Sequence, residues 1–223
     1  MRLPYSPLPL LVFLFALGFL LAIVQIGALT IAFDKLGLTA NFAFLLLFAS
    51  LFGSAINLPL FTMTAERPPQ PPVMPAPLRR LLRHRLREFK GKTLVAVNVG
   101  GCLIPLAFSI YLMTHQAVPG AQVLIATVAV ALVSRLISRP IPGIGIGMPI
   151  FVPPLAAATL ALLVNGDNSA ALAYISGTLG VIIGADLLRL PDIRRLGTPF
   201  AAIGGAGTFD GIFVTGIVAV LLA

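Results

Sequence analysis

The sequence predicts an all-α fold: a polytopic membrane helix bundle of about seven transmembrane helices, one of them broken or re-entrant. Three observations predict it. Of 223 residues, 58% are hydrophobic and 10% charged, where a soluble domain carries about a quarter charged residues. Apolar runs of about 20 residues, the length that crosses about 30 Å of hydrocarbon, recur along the chain. The 15 Lys and Arg all fall on one set of alternating loops, with Lys35 the one exception.

The formal net charge of +8 does not point to nucleic acid, because the cations are confined to loops between spans. Topology accounts for them. The 21 glycines suit close packing of membrane helices. One cysteine, Cys102, excludes an internal disulfide and a cysteine-based metal site. His84 and His115 fall in different loops. No metal and no cofactor is therefore expected. Tyr5, Tyr111 and Tyr174 are candidate interface anchors.

Residues 7–32 make the first span. Arg2 followed by an apolar run is reminiscent of a signal peptide, but the run is too long and no small-residue cleavage site follows, so a helix is expected. Residues 38–60 make the second span, with Asn57 and Pro59 near its end. These two spans form a first unit, residues 1–60. Residues 61–92 form a cytoplasmic linker. Its stretch 67–77 is Pro-rich and extended. In residues 78–92, Leu78, Leu81, Leu82, Leu86 and Phe89 recur at helical spacing among basic residues, as in an amphipathic helix lying on a membrane surface. Its role is topogenic, with recognition of anionic lipid or a partner protein as the alternative.

Residues 93–223 form a five-helix membrane core. The third span is 93–113, with Asn98, Gly100, Gly101 and Pro105, and the fourth is 121–138. The segment 140–154 holds five prolines and three glycines among apolar residues, so it cannot form one regular helix. Irregular backbone at membrane depth needs protein or a wet cavity around it. A broken or re-entrant fifth span continuing to Val164 is expected, with Asn98, Pro149, Pro153 and Pro154 as cavity-lining candidates. The sixth span is 169–190 and the seventh lies in 197–223. Seven spans with cations on one side place the amino terminus in the cytoplasm and the carboxyl terminus outside, in the inner (cytoplasmic) membrane.

Two carboxyls fall in the last two spans. Asp186 lies near the cytoplasmic face. On a straight helix Asp210 lies about 16 Å beyond Pro199, near mid-bilayer. A carboxylate there costs about 2.5–3.5 kcal/mol to insert, so it faces protein or water. Two aspartates brought together can share a proton, one acting as base on a water and the other as acid on a carbonyl. In straight helices the two would sit about 10 Å apart in depth. They meet if the start of the seventh span is unwound, which Gly204, Gly205, Gly207 and Gly211 allow. The structural alternatives are an Asp186–Arg189 pair at i+3 and a hydrogen-bonded Asp210. Gly177, Gly180 and Gly184 form a small-residue stripe expected to pack on another helix.

The stretch Gly204-Gly-Ala-Gly-Thr-Phe-Asp-Gly-Ile-Phe213, with Asn98-Val-Gly-Gly101 and Gly184-Ala-Asp-Leu187, resembles a prokaryotic integral-membrane family of unknown function. That resemblance implies no activity. A looser one is to presenilin and signal-peptide-peptidase-type intramembrane aspartyl proteases. Those carry one Asp in a sixth span and a second in a Gly-x-Gly-Asp motif in a seventh. Asp186 and Asp210 match in position, and the resemblance implies that both are catalytic. Here the second motif reads Gly207-Thr-Phe-Asp210, with no glycine directly before the acid. The family's later Pro-Ala-Leu element has no match, and Pro153-Pro-Leu155 is a stand-in that comes earlier.

The leading expectation is an aspartyl-protease-like membrane enzyme acting on a transmembrane peptide. The alternative is a proton- or ion-coupled transporter of a small solute, with Asp210 as carrier, although no inverted repeat is visible. A third reading is a non-catalytic membrane subunit. The bilayer is the expected partner; nucleic acid is not, and the oligomeric state is left open.

Overall fold

The computed structural model describes residues 27–66, 91–141, 145–205 and 211–223. Most of the expected first span, the Pro-rich stretch, the basic amphipathic helix, Gly207 and Asp210 lie outside them. Helix α1 (Gly27–Lys35) meets α2 (Ala40–Gly53) at a bend of 112°. Gly37 supplies the left-handed backbone of the turn (φ +69), and the Thr39 hydroxyl caps α2 by accepting from the Phe42 N–H.

The chain is mostly helical, but the all-α expectation needs correcting: five strands are present among the described residues. Strand β1 (Asn57–Thr64) pairs antiparallel with β2 (Lys92–Asn98), and β2 pairs parallel with β5 (Phe200–Ile203). The sheet order is β1-β2-β5. The expected second span therefore ends at Gly53, and the expected third begins as a strand. The physical reason lies in the residues. Pro59 cannot sit inside a helix, yet on an edge strand it needs no ladder N–H, and the register shifts between Pro59 and Phe61. Thr93, Val95 and Val97 are β-branched and suit a pleated surface. Strand β2 lies between two neighbours and is largely buried, so it reads as an apolar run, which periodicity alone cannot tell from a helix.

After β2, a π-turn (Val99–Leu103) leads into α3 (Ile104–His115). Helix α4 follows (Gly120–Ile137), then a small hairpin of β3 (Arg139–Ile141) and β4 (Gly145–Gly147), then α5 (Val152–Val164). The expected broken fifth span is thus a hairpin followed by a 13-residue helix. Helix α6 (Ser169–Val181) continues through a π-turn (Ile182–Asp186) and a 3-10 segment (Leu187–Arg195). The chain closes with β5 and α7 (Gly211–Leu222).

Among the described residues, two helices are long and apolar enough to cross a membrane: α4, and the continuous run Ser169–Arg195. A third counts if the bent α1–α2 pair is one span. Val99–His115 and Val152–Val164 are apolar but shorter. At 12 residues, α7 reaches only about 18 Å. The described residues thus supply two or three candidate spans of the seven expected. Large apolar side chains nonetheless face outward, among them Leu124, Leu132 and Leu136 on α4 and Phe44, Phe48 and Phe52 on α2. Surfaces of this kind are costly in water and at rest in lipid.

Helix α6 is the centre of the bundle, with 11 of its 13 residues buried against α4, α5 and α7. Tyr174 is wholly buried and meets Phe108 edge-on at 4.9 Å. It is therefore a core residue and no interface anchor. The small-residue stripe packs as its spacing predicts. A Cβ on Gly180 would fall 2.6 Å from Val130 Cβ, and one on Gly184 would fall 2.1 Å from the Ala131 carbonyl oxygen. Backbone at that distance cannot step aside as a flexible side chain does. Gly184→Ala is expected to destabilise the protein by about 2–3 kcal/mol, read as a lower melting temperature in detergent. A wild-type melting temperature would mean that α4 and α6 are less tightly joined than this.

Candidate functional site

Asp186 closes the π-turn that ends α6. Such a turn inserts a residue into the helical ladder and re-aims the side chains beyond it; π-turns concentrate at functional positions. Gly184 lets this turn lie directly on the α4 backbone. The Asp186 side chain is half-buried, and its Oδ2 accepts a hydrogen bond from the Gly204 N–H at 2.9 Å. The acid from the sixth expected span thus touches the glycine-rich segment that leads to the second acid.

Gly204 is placed by the sheet. The Pro199 carbonyl accepts from the Leu94 N–H at 3.0 Å, and the Thr198 carbonyl accepts from the Thr93 hydroxyl at 2.6 Å. Parallel pairing then carries β5 to Ile203 beside Val97. There the chain turns. Gly204 and Gly205 both take left-handed conformations, with φ of +81 and +82, which side chains rarely adopt. Gly204 is also pressed against the π-turn after β2: a Cβ would lie 2.6 Å from Cys102 Cβ and 2.8 Å from the Cys102 nitrogen.

Asn98 holds that π-turn in shape. Its Oδ1 accepts from the Gly101 N–H at 2.7 Å, while its Nδ2 donates to the Ser54 carbonyl at 2.7 Å and to Asn57 Oδ1 at 3.0 Å. The Ser50 hydroxyl donates to the Gly100 carbonyl at 2.7 Å. The side chain of Asn98 is thus spent on backbone and on Asn57, and it acts one step removed from the acid, as a support beneath Gly204. The two π-turns and the Gly204–Gly205 turn meet at one end of the sheet.

One apolar cluster wraps this junction. Cys102, Ile182, Ala185, Ile203 and Ile212 belong to it. Ile212 lies in the first turn of α7, is 2% exposed, and follows Asp210 by two residues. Both flanks of the segment 206–210 are therefore fixed beside the Asp186 turn. Among the described residues α7 begins at Gly211 and Phe200–Ile203 is a strand, so the stretch beyond Pro199 is not the straight helix on which the expected depth difference rested. Within the expected seventh span, Phe200–Ile203 is a strand and Gly204–Gly205 a turn.

The other predicted residues lie as follows. Gly211 is the first residue of α7. Pro149 is exposed, although Ile146 and Met148 just before it pack on the same cluster. Pro153 and Pro154 are buried in the first turn of α5, where a missing N–H costs no helical hydrogen bond. A cavity of about 80 Å³ lies at the α1–α2 bend, lined by residues including Phe33, Asp34, Leu38 and Leu47; none of the candidate residues lines it.

Arg189 does not take up the pairing expected with Asp186. Its Nη1 donates to Asp192 Oδ2 at 2.9 Å and its Nε to the Ser138 hydroxyl at 3.1 Å. Its Nη2 donates to the Arg135 carbonyl at 2.7 Å and to the Ser138 carbonyl. Asp186 and Asp192 each stand three residues from Arg189, so spacing alone could not choose between them. The guanidinium closes the open carbonyls at the end of α4 and ties them to the segment after α6. Arg189→Gln removes the short ion pair of Asp192, leaving it only Arg135 at 3.9 Å, and takes the guanidinium away from these carbonyls. It is expected to cost about 3 kcal/mol, measured as a lower melting temperature with the wild-type helix content of the native state.

A family model described as protein of unknown function (DUF1614) matches residues 51–222. No curated protein and no solved structure matches the chain.

Proposed function

We propose that the chain, which belongs to this family of proteins of unknown function (DUF1614), is a multi-pass membrane protein carrying an aspartyl-type hydrolytic site made by Asp186 and Asp210. The observation that carries the reading is the hydrogen bond from the Gly204 N–H to Asp186 at 2.9 Å. It ties one acid to the segment that delivers the other. Ile212, packed in the same cluster, holds the far side of that segment close by. Asp186 is half-buried, so part of the residue remains exposed.

In the proposed reaction one carboxylate takes a proton from a water, and the hydroxide forms a bond to the scissile carbonyl carbon. The partner carboxyl gives its proton to the carbonyl oxygen. Collapse of the tetrahedral intermediate breaks the C–N bond, the departing nitrogen takes up a proton, and the pair returns to its one-proton state. One water is consumed, and the products are a carboxyl and an amine. The described cations apart from Lys35 gather at the end where α4 and the Ser169–Arg195 run finish. That end is proposed to be cytoplasmic in the inner membrane.

The test uses the full chain reconstituted in liposomes with transmembrane peptides, the products being read by mass spectrometry. Cleavage by wild type and its absence in Asp186→Asn and Asp210→Asn supports the reading. Proton-coupled solute uptake that depends on Asp210 alone, with no peptide cleaved by wild type, assigns the acid to transport and removes it.

A further inference from the structure

Four arginines crowd the end of the molecule opposite Lys35. Arg135 closes α4, Arg139 opens β3, and Arg194 and Arg195 end the 3-10 segment after α6. Strand β3 packs against that 3-10 segment. Arg135 Nη2 lies 3.9 Å from Asp192 Oδ2, which places the two chain segments side by side. Lys92 joins the same end, since the Glu66 N–H donates to the Arg194 carbonyl and the Ala65 N–H to the Gly91 carbonyl.

Among the described residues the acids at this end, Asp192 and Glu66, are fewer than the cations. Asp192 is engaged by Arg189 at 2.9 Å, and Arg135 reaches it only at 3.9 Å. Among the described residues, no carboxylate lies within ion-pair distance of Arg139, Arg194 or Arg195, and all three are exposed. The cations also border apolar surface. Leu136, next to Arg135, is 80% exposed, and Leu187 and Leu188, next to Arg189, are 40% and 48% exposed. A topogenic role requires cations on one side of the membrane. It does not require Arg139, Arg194 and Arg195, without a carboxylate partner among the described residues, to stand on two adjacent segments beside bare leucines.

We propose that this corner binds an anionic phospholipid, with Arg135, Arg139, Arg194 and Arg195 around the head-group phosphate and Leu136, Leu187 and Leu188 against its acyl chains. The charge asks for an anion. A guanidinium offers phosphate two parallel N–H bonds, and the neighbouring leucines favour an amphiphile over a free ion. The site is independent of the two aspartates, and its test does not use their activity.

The test is native mass spectrometry of the full chain in detergent, with phosphatidylglycerol and phosphatidylcholine added separately and inorganic phosphate as competitor. Wild type is expected to retain phosphatidylglycerol about tenfold better than phosphatidylcholine. Arg139→Gln and Arg194→Gln are each expected to weaken that retention about fivefold. Neither side chain makes a described hydrogen bond, so both variants should melt as wild type does. Lys35→Gln, at the opposite end, should leave retention unchanged. Equal retention of the two lipids overturns the proposal, as does equal weakening by Lys35→Gln. Displacement of the lipid by millimolar inorganic phosphate would make this a free-anion site and overturns it too.

Discussion

Replacing either Asp186 or Asp210 by asparagine is expected to lower peptide cleavage by about 10³-fold or more. The double variant should be no worse than the worse of the two singles. The reason is chemical. Asparagine keeps the shape of aspartate and can still accept the Gly204 N–H through its carbonyl oxygen, so the turn at the end of β5 should survive. What it cannot do is take a proton from water or give one to a carbonyl. Groups that act as a unit lose function together, so removing the second costs little once the first has gone. The measurement is the initial rate of peptide cleavage in liposomes, with melting temperatures beside it. Wild-type cleavage by either single variant would sink the proposed dyad. A large fall in melting temperature for Asp186→Asn would instead make that carboxylate a structural anchor of the turn.

The parts of the fold that were legible in the sequence are those set by lipid. Helix α4 is 18 residues long with outward leucines, and neither feature depends on what the rest of the chain does. The gathering of arginines at one end was equally plain, because charge is written directly in the residues. The sheet was not legible. Strand β2 is mostly apolar and largely buried along its length, and its partners come from more than 25 residues before it and 100 residues after it. An apolar run next to predicted spans then reads as another span. Pro59 carried a signal: a proline in the expected last turn of the second span argues against helix there.

The candidate site divides in the same way. Asp186 and the glycines were visible as residue types in unusual places, an acid in an apolar run and closely spaced glycines before a helix. Their contact was not visible, because it depends on β5 pairing with β2 and on the π-turn after Val181. A π-turn has no periodic signature; it follows from tertiary packing, here of Gly184 on Ala131. The same holds for Cys102. As a lone cysteine it spoke only against a disulfide or a cysteine metal site, and it becomes informative once Gly204 is seen pressed against it.

Gly204→Ala is expected to have a large effect for a one-methyl change, with two costs added together. The backbone at φ +81 is left-handed, which costs a residue with a Cβ about 1–2 kcal/mol. The new methyl would also lie 2.6 Å from Cys102 Cβ and 2.8 Å from its backbone nitrogen, an overlap worth about 1–3 kcal/mol. The sum is about 2–5 kcal/mol. Gly205→Ala provides the comparison, because Gly205 has the same handedness at φ +82. If the Cys102 contact matters as argued, Gly204→Ala should lower the melting temperature more than Gly205→Ala does. Relief of the overlap would push the Gly204 N–H away from Asp186, so cleavage should fall further than stability alone accounts for. The decisive comparison is activity measured well below both melting temperatures. Should Gly204→Ala cleave peptides like wild type there, the hydrogen bond to Asp186 would have no part in placing the two acids.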